Sequence, residues 1–547
     1  MTSPTSTTPP STVKTPSTSD ASPVATDAHD HNFAMTHKTS YTCTNDRILY
    51  NWSGLHYLGA KERVVHPTSE DELASILRTA SHVRVVGSVL SYEPIHSLQS
   101  GCWSPSQTRN SKKVQHLTDA DPPNAVVISL PQQHFTGLVT LDLHHRHTAT
   151  FRAATTIDDV IHILAQHGAM MMACPGVIGI QTLAGSIITG THGQGLYQSD
   201  YADMVQSFRM VLASSETRTF TPADPQFYLY LISMGTFGII TELEIAIRPR
   251  ILYTCTKFSC YKQAFMEQYK WWNEANEFCK VWWFPKTDVC QVWFVNPATA
   301  SEEQYHRSKR SASAASDVNS EVVELPHDTL QEDQSQMKKT IQDYLQAMAT
   351  DTKVSQQSGE PQFRTLSRFM NMSKVTGYLE QLVTKGIPVP QINCEISIPL
   401  EQFQKATNAL YEWNTANPVK LHYPFIYRVS GPSKALLSAS HRGPVVWIGF
   451  LVYISQSGDV RDDGMKTMYQ LQQVLATSCD ALPHWGKHYH RHLFDFEKHY
   501  NEHHHNAWER FKEEMHAVDP KQKMLSPFLQ KLFYTSRRKK STILSKL

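Results

Sequence analysis

The chain has 547 residues, enough for roughly three domains of ordinary size. Its 51 Lys and Arg residues balance 50 Asp and Glu residues, so no bulk charge favours nucleic acid or an acidic membrane surface as the partner. A small neutral or singly charged ligand fits this balance better. The nine cysteines are an odd number without CxxC spacing, which argues against a disulfide framework and a cysteine zinc site, and we expect them to be reduced.

The first forty residues differ in composition from everything that follows. Residues 1–40 are rich in Ser, Thr and Pro and hold almost no large apolar side chain, so we expect a disordered tail. They lack the charged start and apolar core of a signal peptide. The first arginine is Arg47, which disfavours a mitochondrial presequence.

Residues 41–250 alternate between predicted strands and helices and form the first predicted domain. Ser69 is a candidate N-cap, followed by three acidic residues and apolar spacing, which predicts a helix within 65–80. The other predicted elements are strands at 83–86, 125–130 and 138–143, a helix at 155–167, and a helix, a glycine break and a strand within 226–250.

Beyond Pro249 the sequence changes to aromatic strands, and residues 251–480 form the second predicted domain. Strands are predicted at 280–284 and 292–295. The apolar run 445–454 is far shorter than the roughly 18–20 residues of a membrane span and predicts a buried strand. Residues 299–335 are polar and rich in Ser and Ala, and we interpret them as a mobile insertion loop.

Two glycine-containing segments are candidate ligand contacts. In VVGSVLSY (85–92) a strand ends at Gly87, where the turn is either a plain corner, which this octapeptide alone favours, or a cradle of N–H groups for an anion. The segment GVIGIQTLAGSIITGTHGQG (176–195) is neither a Walker loop nor a dinucleotide GxGxxG. Its long run of small residues, with embedded Leu183, Ile187 and Ile188, indicates a large ligand lying against the backbone.

Taken together, seven ordered motifs across residues 41–532 resemble FAD-linked oxidases of the vanillyl-alcohol oxidase type, specifically the sugar-1,4-lactone oxidases acting on gulono-, galactono- or arabinono-lactone. Besides the two glycine segments, the motifs are NWSG with PTS (51–54, 67–69), GTFGIITE (235–242), FPKTD (284–288), CEISIP (394–399) and PHWGK (483–487). The resemblance implies an α+β fold: a two-subdomain FAD-binding domain (41–250), an α+β cap or substrate domain with a large antiparallel sheet (251–480), and a segment (481–532) returning to the flavin.

The same resemblance implies which residues bind FAD. Residues 86–91 are implied to wrap the pyrophosphate through backbone donors, and 185–195 to lie along the ribityl and isoalloxazine parts. The implied cofactor-binding residues are Val86, Gly87, Ser88, Val89, Leu90, Ser91, Gly176, Ile178, Thr182, Gly185, Ser186, Gly190, Thr191, His192, Gly193, Ile239, Ile240 and Lys487.

Two of these positions refine the expected chemistry. Many relatives carry a histidine bonded to the flavin where this chain has Leu90, and leucine has no nucleophilic atom, so we expect non-covalent FAD. Gly176 matches a position where plant lactone dehydrogenases carry an alanine that obstructs oxygen. Glycine here implies O₂ as acceptor and hydrogen peroxide as product.

The implied reaction moves hydride from C2 of an aldono-1,4-lactone to flavin N5, giving ascorbate or its five-carbon analogue. By similarity, Glu395 binds the 2- and 3-hydroxyls and assists deprotonation; the alternative is a surface glutamate at a strand edge. Some relatives carry arginine where this chain has Ser397, so Arg428 or Lys487 must supply the cation. We favour Lys487 near flavin N1, with His484 orienting the ring or the substrate, although an ordinary surface lysine stays an alternative.

The segment 484–506 contains eight histidines and raises a second hypothesis, metal binding by helical pairs such as His484 with His488. Interleaved Lys487, Arg491 and Lys498 favour instead the polar face of a terminal helix, so we predict no metal. Three alternatives to the lactone oxidase stay open: a dehydrogenase with another acceptor, an alditol or other alcohol oxidase, and a non-catalytic flavin- or metal-binding protein. The residues do not choose among the three lactones.

The chain closes with a basic tail, 533–547, ending in Ser545-Lys546-Leu547. This tripeptide matches the signal read by the peroxisomal import receptor. We therefore expect a peroxisome or a glycosome-type organelle, with the cytosol as the fallback.

Overall fold

The computed structural model describes residues 47–53, 56–99, 111–173, 176, 178–312, 322–326, 332–350, 373–383, 391–417, 421, 423–453, 462–503 and 505–535. The predicted tail 1–40 and the tripeptide Ser545-Lys546-Leu547 lie outside these residues.

The described part of the chain contains twenty strands. They are β1 (Ile48–Tyr50), β2 (Tyr57–Ala60), β3 (Val64–Val65), β4 (His82–Val86), β5 (Ala125–Ser129), β6 (Leu138–Asp142), β7 (Thr148–Arg152), β8 (Ala169–Met171), β9 (Val205–Leu212), β10 (Thr217–Phe220), β11 (Gly238–Pro249), β12 (Leu252–Tyr261), β13 (Phe278–Trp283), β14 (Val289–Pro297), β15 (Val323–Glu324), β16 (Lys374–Tyr378), β17 (Gln391–Pro399), β18 (Phe425–Ser430), β19 (Val445–Tyr453) and β20 (Leu482–Pro483).

The same residues contain fifteen α-helices. They are α1 (Glu70–Thr79), α2 (Ser111–Asp119), α3 (Gln132–Phe135), α4 (Ile157–Gln166), α5 (Leu183–Ile188), α6 (Phe227–Leu231), α7 (Lys262–Ala275), α8 (Ala300–Ala312), α9 (Glu332–Thr350), α10 (Leu379–Val383), α11 (Phe403–Ala416), α12 (Asp462–Ser478), α13 (Phe496–His503), α14 (Ala507–Val518) and α15 (Pro527–Tyr534). None of the helices described has both the length and the apolar character that a membrane span requires.

Four sheets organise the chain. Parallel strands in the order β3-β5-β4 and a small β1-β2 pair form one part of the first domain. An antiparallel sheet in the order β10-β9-β11-β7-β6, with β8 paired to β11, forms the other part. A nine-stranded antiparallel sheet in the order β15-β16-β12-β14-β13-β18-β19-β17-β20 takes eight strands from the predicted second domain and β20 from the segment that follows it. The predicted α+β class, with its large antiparallel sheet, is confirmed.

The two longest helix predictions of the first domain are confirmed because their caps and apolar stripes agree. Ser69 accepts a hydrogen bond from the backbone N–H of Glu72 at the start of α1. In α4, Thr156 caps the helix, and Ile157, Val160 and Leu164 are buried along one face. Burial of this stripe holds the helix against the core.

The interpretation of 299–335 as a loop is wrong for its described residues. Helix α8 and strand β15 lie within the segment, β15 pairs with β16, and α9 begins at Glu332. Hydrophobic periodicity is the main sequence signal for a helix. The polar residues of α8 form no apolar stripe, so this signal did not predict the helix.

The carboxy-terminal segment returns to both domains. Strand β20 pairs with β17 in the second domain through Ile396 and Ser397. The backbone N–H of Val83, in β4, donates to the carbonyl of Lys523 over 2.8 Å. The chain end thus bridges the parallel strands and the nine-stranded sheet.

Candidate active site

Three neighbouring strands of the large sheet, β17, β19 and β18, place polar groups on one face. Arg428 and Ser397 both pair with Trp447 of the central strand, and Glu395 lies two residues from Ser397. Directly paired residues and residues two apart project from the same face of a sheet. Glu395, only 3% exposed, therefore points to the same side as Arg428 and Trp447.

Glu395 is ion-paired with Arg428. Burial acts to raise the pKa of Glu395, but the positive charges beside it, Arg428 above all and also Lys487, outweigh burial and hold this pKa well below its usual range. The site therefore holds a buried, ionised carboxylate. Ser397, where the resemblance implies arginine in some relatives, donates to the carbonyl of Leu482 over 3.0 Å and so braces β20.

His192 reaches the carboxylate from the second glycine segment. Its ring stacks on Trp447 with centroids 4.2 Å apart and planes 6° from parallel. Its Nδ1 lies 2.7 Å from the carbonyl oxygen of Gly193, and its Nε2 lies 3.5 Å from Glu395 Oε1. Burial lowers the pKa of His192, although Glu395 acts to raise it.

His484 closes another side of the group. Its backbone N–H donates to the Glu395 carbonyl over 3.0 Å, and its Nδ1 accepts from the N–H of Gly486 over 2.9 Å. The ring lies edge-on to His192 with centroids 5.7 Å apart. Burial holds the pKa of His484 well below its usual value, so the ring is neutral with its proton on Nε2.

Lys487 follows on the same segment and lies over the ring of Tyr92, its Nζ 5.7 Å from the ring centroid. Burial lowers the pKa of Lys487, while Glu395 opposes that shift. The N–H of Tyr92 donates to the Gly486 carbonyl over 3.1 Å, and His488 Nδ1 lies 2.6 Å from Glu93 Oε1. Tyr92 and Glu93 thus join the first glycine segment to the segment that carries Lys487.

The helical histidine pairs of the metal hypothesis do not form, and the favoured terminal helix begins only at Phe496. His484 and His488 lie outside any helix, so the helical metal hypothesis for them is wrong. One side-chain atom each of His192, Glu395 and His484 lies within 4.8 Å of the others, a spacing that can hold a metal ion. Arg428 and Lys487 carry positive charge into the same space and would repel such an ion, and the absence of a metal stays a prediction.

The first glycine segment has the features that a pyrophosphate cradle needs. Within the described part of the chain, the backbone N–H groups of residues 87–91 donate to no protein acceptor. Val89 has a positive φ of 49°, and its carbonyl accepts from Trp52 N–H over 2.8 Å. A Cβ on Gly87 would come within 2.5 Å of Thr182 Oγ1, so glycine lets the two glycine segments meet. Unsatisfied N–H groups converging in one turn favour an anion.

The second segment turns sharply around helix α5. Thr182 caps this helix by accepting from the N–H of Gly185 over 3.2 Å. Ser186 accepts a hydrogen bond from the N–H of Thr191 over 2.9 Å, and Gly190 between them has a φ of +72°, which favours glycine. This turn places His192 and Gly193 next to the Glu395 carboxylate.

Other implied cofactor residues lie in three places. Val86, Ser88, Leu90 and Ser91 belong to the first segment, where the Ser88 hydroxyl donates to the carbonyl of Ile180. Gly176 lies against the guanidinium of Arg428, with Ile178 two residues on. Ile239 and Ile240 pair with β9 in the core of the antiparallel sheet. Contact of these residues with the cofactor stays a prediction.

Comparison with known proteins decides the family. The family described as D-arabinono-1,4-lactone oxidase matches residues 243–532, more than half of the chain, and an FAD-binding domain family matches residues 107–221. The chain belongs to the D-arabinono-1,4-lactone oxidase family. This family member has FAD as its cofactor and is an FAD-dependent oxidoreductase.

Individual relatives are distant. The family member is 21% identical to L-gulono-1,4-lactone dehydrogenase of Mycobacterium tuberculosis, over 89% of this chain and 99% of that protein. It is 25% identical to D-arabinono-1,4-lactone oxidase of Yarrowia lipolytica, over 39% of this chain and 37% of that protein. Its match to fungal relatives spans only 31% to 37% of their length.

A solved structure of cholesterol oxidase from B. sterolicum has a TM-score of 0.65 and 14% identity, covering 89% of this chain and 96% of that one. At this identity the likeness shows the fold. The predicted fold of the vanillyl-alcohol oxidase type is thereby confirmed.

Sequence reasoning missed two parts of the site. Trp447 lies in a run of apolar residues and had no separate signal, and Glu93 was not singled out. Burial of Glu93 requires a partner, but neither its burial nor that partner can be read from the sequence. Its partner, His488, lies 395 residues away in the chain.

Proposed function

We propose that the chain oxidises an aldono-1,4-lactone at C2, with molecular oxygen as the acceptor and hydrogen peroxide as the second product, giving ascorbate or an ascorbate analogue. The observation that carries this proposal is the buried, ionised Glu395 among Arg428, His192, His484 and Lys487. A carboxylate held ionised in a buried site is suited to accept hydrogen bonds from vicinal hydroxyls, as an aldonolactone offers at C2 and C3.

Each residue of the site has a separate role in this proposal. Bound FAD would supply the acceptor for the hydride from C2 and the route of its electrons to oxygen. Glu395 binds the 2-hydroxyl, and Arg428 keeps the carboxylate ionised and in place. Lys487 supplies positive charge near the reacting end of the site, and Tyr92 holds its side chain. The stacked ring of Trp447 fixes His192.

Two further features of the proposal rest on single residues. Leu90 offers no atom for a covalent bond, which supports non-covalent FAD. Gly176 carries no methyl group where the resemblance implies one that obstructs oxygen in dehydrogenases, which supports oxygen as the acceptor.

The test is anaerobic mixing of purified holoenzyme with D-arabinono-, L-galactono- and L-gulono-1,4-lactone, followed by admission of air and assay of peroxide. Loss of the oxidised flavin absorbance and then stoichiometric peroxide are expected with at least one lactone. No loss of absorbance with any lactone would overturn the proposal. Glu395→Gln serves as the comparison, because it keeps the side-chain shape and removes the charge.

A dehydrogenase with an acceptor other than oxygen is the second candidate. The Mycobacterium tuberculosis relative that spans 89% of this chain is named a dehydrogenase, and this favours the candidate. Rapid flavin reduction by a lactone, followed by reoxidation in air too slow to support turnover, would select it over the oxidase.

We also propose import into a peroxisome or glycosome-type organelle through Ser545, Lys546 and Leu547 and the import receptor. The peroxide formed by the proposed reaction suits an organelle that handles peroxide. A fluorescent protein fused to the amino terminus should give punctate fluorescence with the full chain and diffuse fluorescence without the last three residues. Diffuse fluorescence in both would contradict the proposal.

A further inference from the structure

Two hydrogen-bond acceptors face each other at the centre of the site. His192 Nδ1 lies 2.7 Å from the Gly193 carbonyl oxygen, and a carbonyl oxygen only accepts, so Nδ1 carries the ring proton. In the neutral ring Nε2 then carries a lone pair, and it lies 3.5 Å from Glu395 Oε1. This separation is longer than an N–H···O hydrogen bond. No proton lies between His192 Nε2 and Glu395 Oε1, so the two groups form no hydrogen bond.

Neighbouring groups hold this arrangement in place. The His192 ring is stacked flat on Trp447, and the Trp447 Nε1–H donates to Ser430 Oγ over 2.9 Å. A half-turn of the ring would keep the stack but break the hydrogen bond to Gly193. Arg428 occupies the same carboxylate oxygen of Glu395 and favours its ionised form. A ligand hydroxyl placed at Glu395 can supply the missing proton.

His484 is not an equivalent acceptor. Its Nδ1 already accepts from the N–H of Gly486 over 2.9 Å, which leaves the proton on Nε2. The edge-on ring of His484 lies 5.7 Å from that of His192, and it can only donate toward the carboxylate from Nε2. Of the two histidines buried at this site, His192 alone presents a lone pair to Glu395.

We propose that the proton of the substrate 2-hydroxyl passes to Glu395 and comes to rest on Nε2 of His192. This proposal rests on the proposed function. The C2–H bond breaks, and its electron pair leaves as hydride to the cofactor. The O–H bond breaks, and its proton goes to the Glu395–His192 pair. The C2=O bond forms. The lactone loses two electrons, and the proton and the hydride are both accounted for. The imidazolium that results donates to Glu395 and is held by its charge.

Two variants separate this role from a structural one. His192→Asn places an amide N–H where Nδ1–H was, so it can keep the bond to Gly193 while it removes Nε2. His441→Asn is the matched control, because His441 Nδ1 also lies 2.7 Å from a carbonyl oxygen, that of Ser438. Both variants are purified with FAD and mixed anaerobically with the lactone.

The expected result is a flavin reduction rate about a hundredfold lower in His192→Asn at pH 7, the scale of a lost general base. Substrate Kd and FAD content should change less than about threefold, and His441→Asn should match wild type. The wild-type rate should fall as acid protonates the pair, and this decline should be lost or displaced in His192→Asn. A reduction rate within threefold of wild type, with the same pH profile, would overturn the proposal.

A second readout does not depend on turnover. Histidine labelled with ¹³C at Cε1 gives one ring signal per residue, and the signal missing in His192→Asn identifies His192. A neutral ring at pH 7 with no lactone present is expected. An imidazolium at pH 7 would overturn the proposal even if no lactone reduced the flavin, whereas that lack of reduction would itself count against the proposed function.

Discussion

Gly176→Ala is the substitution with the most specific structural consequence. A Cβ built on Gly176 would overlap Arg428 Nη1, closer than the 3.0 Å below which real Cβ atoms essentially never approach a heavy atom. The guanidinium is the far end of a long side chain and can give way. It must do so, however, while it is ion-paired with Glu395. The variant should therefore loosen the Arg428–Glu395 pair.

The size of the effect follows from the distance. The guanidinium must retreat by about 1 Å to reach a tolerable contact. At an effective dielectric constant of about 20, a charge pair drawn from about 3 to about 4 Å apart loses about 1.4 kcal/mol. If that stabilisation is needed in the transition state, flavin reduction by the lactone slows about tenfold. The pKa of Glu395 should rise as well, because Arg428 opposes the effect of burial.

Stopped-flow spectrophotometry separates this effect from a barrier to oxygen. Reduction is followed anaerobically after mixing with lactone, and reoxidation is followed separately after mixing the reduced enzyme with oxygen. A methyl group that only obstructs oxygen slows reoxidation and leaves reduction unchanged. Reduction at the wild-type rate in Gly176→Ala would therefore refute the argument that Gly176 makes room for Arg428.

Three further predictions test other parts of the molecule. Because Leu90 cannot bond to the flavin, acid precipitation should leave a colourless pellet and a yellow supernatant; a yellow pellet would contradict non-covalent binding. Burial raises the pKa of Asp200 to about 7, so the folded state loses stability as pH rises from the unfolded value near 3.8 through 7, by roughly 4 kcal/mol in total. The melting temperature of Asp200→Asn, measured relative to wild type, should therefore be higher at pH 8 than at pH 5. The same difference in melting temperature at both pH values would refute this. Trp447→Phe removes the hydrogen bond to the buried Ser430 and should lower the free energy of unfolding by about 1–3 kcal/mol in denaturant titrations. Trp271→Phe, at a residue that is 61% exposed, is the control and should leave the free energy of unfolding unchanged. Equal losses in the two variants would count against the structural role of the bond.

The fold was largely predictable because local signals agreed with tertiary structure. Ser69 caps α1 as its spacing predicted, and the apolar stripe of α4 faces the core. The exception was α8, which is strongly polar. A helix that lacks an apolar stripe cannot be told from a loop by periodicity, although in the folded chain it lies beside β16 and Lys374 of that strand pairs with Glu302 of the helix.

The candidate site was predictable in its residues but not in its contacts. Glu395, His484 and Lys487 lie in sequence motifs and Arg428 was one of two candidate cations, yet the choice of Arg428 as the direct partner of Glu395 depends on the register of three strands. A shift of one residue would turn Arg428 to the opposite face. The sequence expectation favoured Lys487 as the main cation, whereas in the structure it is Arg428 that is ion-paired with the carboxylate.

Trp447 illustrates a further limit. A strand buried on both faces does not alternate between apolar and polar residues, so nothing in 445–454 marks one tryptophan as a site residue. Its role follows only from its pairing with Arg428 on one side and Ser397 on the other. The tautomer of His192 is likewise decided by a carbonyl group in the folded turn.

The most direct test of the account is the anaerobic reaction of the wild-type holoenzyme and Glu395→Gln with the three aldono-1,4-lactones. The account predicts rapid bleaching of the wild-type flavin by at least one lactone, and bleaching at least a hundredfold slower in a Glu395→Gln protein with the same FAD content. Wild-type flavin that stays oxidised with all three lactones, or a variant as fast as wild type, would contradict the central claim that Glu395 organises the oxidation of a lactone.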